Sequence, residues 1–67
     1  MAIAKITEIQ SASKKSFEDA IKAGVSRADK TLRNLTGAWV KEQKVKIEKG
    51  KIVEYRVIMK VTFILTD

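Results

Sequence analysis

Three side chains in this 67-residue chain are suited to holding a flat ligand: the indole of Trp39, the amide of Gln43 and the guanidinium of Arg56. Trp39 offers a stacking surface, Arg56 can stack on a ring or donate to carbonyl and phosphate oxygens, and Gln43 can both donate and accept. The groups that break bonds are poorly represented. There is no Cys and no His, which removes thiolate nucleophiles, imidazole bases, disulfides and the usual transition-metal ligands. The eight carboxylates show no pairing that suggests an acid/base dyad, and neither a glycine-rich phosphate loop nor an EF-hand-like acidic cluster is present. The residues point to binding rather than catalysis, with no metal site.

These three residues must be positioned by strands. Ile3 to Ile9 is β-branched enough for a short first strand. Ser13 is the expected N-cap of a following helix, with Ser16 and Asp19 as a competing capping box. Phe17, Ala20, Ile21, Gly24, Val25, Ala28, Leu32 and Leu35 fall on one helical face, which predicts about six turns from Ser13 to Leu35. Lys14 and Lys15 would then oppose the helix dipole in the first turn, as tolerated exposed lysines or as an anion site. Thr36-Gly37 is the expected helix stop.

A second strand, Ala38 to Glu48, leads through a Lys49-Gly50 turn into a long third strand. Around that turn opposed residues sum to 99, which sets Trp39 against Lys60 and Gln43 against Arg56 on one face, unless a bulge inverts part of the pairing. Gln43 and Arg56 also read as an ordinary cross-strand pair, and Trp39 as packing at a subunit junction. From Val53 to Leu65 the odd positions are apolar throughout, while the even positions interleave Ile52, Ile58 and Ile64 with Glu54, Arg56, Lys60 and Thr62. One helix can cover one face only. The predicted fold is α+β, ordered β-α-β-β, with a three-stranded antiparallel sheet wrapped on one amphipathic helix and its other face awaiting other subunits.

Composition agrees with association. A chain this short is a single domain near the lower limit for an independent core, and without disulfides or metals it needs partners. No apolar stretch is long enough to span a membrane and no signal-peptide pattern follows the first Met, so a soluble cytoplasmic protein is expected. The net charge of +6 suits an anionic ligand or a plain solvated surface. The lysines lack the interleaved aromatics of a single-strand nucleic-acid binder, so no nucleic-acid partner is expected.

The chain resembles the dodecins, small flavin-binding proteins that assemble as hollow homododecamers. The resemblance spans nearly the whole length and rests on Ser13-x-x-Ser16-Phe17, on Lys30-Thr31-Leu32-Arg33-Asn34-Leu35, on Glu54-Tyr55-x-Val57 and on the ending Val61-x-Phe63-x-Leu65. It implies a non-enzymatic protein that stores and shields a flavin (FMN, riboflavin or lumichrome) by aromatic stacking at subunit junctions. The family's usual stacking tryptophan falls on Gly37 and its usual ring-binding glutamine on Arg56. Trp39 lies two residues further on, which in a strand is the same face about 6.6 Å away. The alternative is a structural shell of the same architecture that holds another anion or no ligand. Related proteins with bound calcium direct attention to carboxylates such as Glu8 and Glu54, without supplying a ligand cluster here.

Overall fold

The computed structural model describes residues 3–65 and contains β1 (Ile3–Ser13), α1 (Phe17–Thr31), β2 (Leu35–Glu48) and β3 (Lys51–Leu65). All three strands are antiparallel, in the spatial order β1-β3-β2, so the expected architecture is the one observed. The long third strand is central, as its two apolar faces require. Its odd residues Val57, Met59 and Val61 are fully buried beneath α1, where Ala20 and Ala28 complete the core. The helix is anchored at its start by Phe17, whose ring meets Tyr55 edge-on at 5.1 Å.

Gly24 sets the closeness of helix and sheet. A Cβ built there would lie 2.7 Å from Met59 Cε and 3.0 Å from Ser11 Cβ, so a larger residue would have to displace the end of Met59 and press on Ser11 for the helix to lie as close to these strands.

The helix is shorter than its periodicity suggests, four turns rather than six. Ser16, not Ser13, is the N-cap: its backbone is extended and its hydroxyl accepts from the Asp19 amide at 3.0 Å. Ser13 instead closes the end of β1, donating to Asp19 Oδ2 at 2.6 Å and accepting from the Lys15 amide at 2.9 Å. Lys14 and Lys15 therefore lie ahead of the cap rather than in the first turn, which holds Glu18 and Asp19 in accord with the helix dipole. At the other end Leu32 turns extended while its amide still reaches the Ala28 carbonyl, and Asn34 takes a left-handed conformation with φ 62°. Asn tolerates that region because its short side chain compensates locally. The chain is thus redirected three residues before Gly37, Leu35 joins β2 opposite Phe63, and Gly37 is a strand residue rather than a helix terminator.

The Lys49-Gly50 turn forms as expected, with φ 52° and 76°, the pair of positive values that matches strand twist in a two-residue hairpin. The register around it is broken by bulges. Glu48 to Ile47 and Val40 to Gly37 keep the sum of 99, but from Glu42 to Lys46 the sum is 100, bounded by irregularities at Val40/Glu42 and Lys46/Ile47. Within that segment every side chain is on the face opposite to expectation.

Gly24→Val is expected to lower the thermal midpoint, at a cost of about 1–3 kcal/mol for overpacking a closed helix–sheet contact. Gly37→Ala, whose added Cβ meets nothing within 4 Å, is the matched control and should leave the midpoint within about 2 °C.

Candidate functional site

The sheet face away from α1 carries the candidate residues. Trp39 is 63% exposed there, on β2 directly opposite Lys60 of β3. The Lys60 ammonium sits over the indole, 5.4 Å from the ring centroid. Ile6, Ile47 and Ile52 are more than half exposed, and the register puts all three on this same face, beside Thr62 or paired with one another. An exposed indole among exposed isoleucines is a surface made to be covered.

The bulge at Lys41 shapes the site. Lys41 falls between the paired residues Val40 and Glu42, and its side chain crosses β3 so that Nζ reaches Glu8 Oε1 of β1 at 3.4 Å. The same irregularity turns Gln43 away. Gln43 pairs with the buried Val57 and so belongs to the helix-side face, while Lys44 and Ala12 flank Arg56. The expected Gln43–Arg56 pair is not formed. Gly37, opposite Thr62, borders a hollow of about 280 Å³ lined by Val25, Leu35, Thr36, Ala38 and Val61.

Trp39 and Arg56 do share the outer face. Arg56 is four residues along β3 from Lys60, a separation of about 13 Å, so one chain does not bring the ring and the guanidinium onto the same small ligand edge. Arg56 is also engaged: its Nε donates to Glu54 two residues back on the same face. That hydrogen bond, with the charges of Arg56, Lys46 and Lys14, holds the Glu54 carboxyl below the usual carboxylate range against a smaller opposing effect of burial. Among the described residues no group of three acidic side chains is placed to hold a metal ion, and no helix is long and apolar enough to cross a membrane.

The pairing of Lys60 with Trp39 follows from the hairpin sum, yet their contact and the Lys41–Glu8 link were missed by sequence reasoning. A lysine opposite a tryptophan in a hairpin is the signal for the first. Nothing in the sequence announces the second, because it depends on a bulge.

The sequence model of the Dodecin family matches residues 3–66. Dodecin of Thermus thermophilus is 38% identical over 63 residues, covering 94% of this chain and 91% of its own. Among solved structures, dodecin from Streptomyces davaonensis superposes with a TM-score of 0.94 at 33% identity, covering 98% of this chain and 97% of its own. A calcium-chelating antigen of Mycobacterium tuberculosis, calcium dodecin, gives 0.82 at 31% identity, with 96% and 91% covered.

Because the Glu54 value is depressed on folding, the Arg56–Glu54 contact contributes stability above the ordinary carboxylate pKa of about 4.3 and loses it as pH falls through the lower folded value. Thermal midpoints of wild type and Glu54→Gln should therefore differ at pH 7 and converge in acid, once the pH has fallen below the lowered folded value. A difference that persists unchanged in acid would show that the contact is not the cause.

Proposed function

The chain belongs to the dodecin family, and we propose that it is a non-enzymatic flavin-binding protein of the cytoplasm, which stores and shields the cofactor at junctions between subunits of a homododecamer. The observation that carries this reading is Trp39: a large aromatic ring, mostly exposed, on a sheet face that no helix covers. A ring in that position stacks on a flat heteroaromatic ligand, and an indole in contact with a photoexcited flavin quenches it by electron transfer. Since Trp39 and Arg56 of one chain are separated along β3, the polar edge of a ligand on Trp39 would be met by groups from neighbouring copies. Arg56 of another subunit is one candidate, and the open strand position at Gly37 leaves room beside the indole. Gln43 takes no direct part in this proposal, because its register partner is the core residue Val57.

A specific observation favours a second reading, a shell of the same architecture without flavin. The family's stacking and ring-binding positions fall on Gly37 and Arg56, and Arg56 is already bound to Glu54. The two readings separate on one preparation. An intact oligomer that fails to quench riboflavin fluorescence at any concentration supports the empty shell.

Under the flavin reading, Trp39→Ala should weaken riboflavin binding about tenfold or more, as stacking of a nucleobase-like ring on an aromatic is worth about 1–3 kcal/mol. Fluorescence titration of the intact oligomer measures it, and an unchanged dissociation constant would clear Trp39 of the role.

A further inference from the structure

Lys60 is placed between two partners and has taken the weaker one. In the register it lies directly opposite Glu8 on one side and Trp39 on the other. A carboxylate across an antiparallel pair is the ordinary partner for a lysine. Here the Glu8 carboxylate is occupied from the far strand by Lys41, and the Lys60 ammonium leans over the Trp39 ring instead. Glu42, one register step away opposite Ile58, does not come within salt-bridge distance of it. Among the described residues, then, the half-buried Lys60 has no carboxylate within 4 Å. Among the described residues, the group that meets its charge is the face of an exposed ring.

We propose that Trp39 and Lys60 together form an acceptor for a flat aromatic ring that carries a negative charge, with Lys60 the residue that selects charged over neutral ligands. This rests on the reading of Trp39 as the stacking surface. A neutral ring that stacks on the Lys60 side of the indole must push the ammonium off it and returns nothing for the lost contact. A ring bearing a phosphomonoester supplies a partner at the moment the ammonium is displaced, and the flexible four-carbon stem lets the charge swing from the ring face to the anion. Lys41 is the less available cation, since its ammonium already meets Glu8.

FMN and riboflavin share one ring system and differ by a phosphate, so the ratio of their dissociation constants isolates the effect. Fluorescence quenching at low ionic strength, with native mass confirming that each variant is assembled, should show wild type preferring FMN by about tenfold, or about 1.4 kcal/mol. The preference should shrink as salt is raised, vanish in Lys60→Gln, persist in Lys60→Arg and widen in Glu42→Gln. Equal affinity of wild type for the two flavins, or a preference that survives in Lys60→Gln, would overturn the role of Lys60 while leaving the stacking site intact. Failure of an intact wild-type oligomer to quench either flavin would remove the stacking site, and this inference with it.

Discussion

A helix of fifteen residues lies on a sheet whose longest strands have fourteen and fifteen. At about 1.5 Å per helical residue and 3.4 Å per strand residue, the helix is about 22 Å long and the strands about 50 Å. The molecule is accordingly a slab of 52 × 19 × 13 Å with a core confined to its middle, where Val57, Met59 and Val61 meet Ala20 and Ala28. At Gly24 the helix lies close enough that an added Cβ would crowd Met59 and Ser11. What the helix cannot reach is the whole outer face and both ends of the inner one. With no cysteine for a disulfide and, among the described residues, no cluster placed to hold a metal, a chain of this size gains the missing burial from other copies of itself.

The outer face is where that need and the proposed ligand chemistry coincide. Its apolar members make it adhesive, and its polar members are organised by one irregularity: the bulge at Lys41 frees that side chain to cross the central strand, take Glu8, and leave Lys60 to the indole. A regular ladder would have put Gln43 on this face and paired it with Arg56. The bulge removes that amide–guanidinium pair from the face, while the Trp39–Lys60 pair, which a regular ladder also gives, is kept.

How much of this was legible follows from the period of each element. The third strand, the Lys49-Gly50 turn and the strand order were readable because alternation and turn chemistry are local. The outward placement of Trp39 was readable too, since the register returns to its starting sum before that residue. The helix was overextended because Leu32 and Leu35 continue its apolar stripe, whereas Asn34 in the left-handed region breaks the chain first and delivers Leu35 to the sheet. Ser13 and Ser16 are equivalent as sequence, and only the extended length of β1 decides between them. Gln43 was misplaced because bulges carry no sequence mark at this site. Within the candidate site, therefore, the outward placement of Trp39 was recoverable from the sequence, and that of its polar neighbours was not.

The mass of the native protein in solution tests this account most directly. Each chain is 7.5 kDa, and a shell that covers the outer face with twelve copies gives about 90 kDa. A species of that mass is the predicted result, and a stably folded monomer of 7.5 kDa would contradict it.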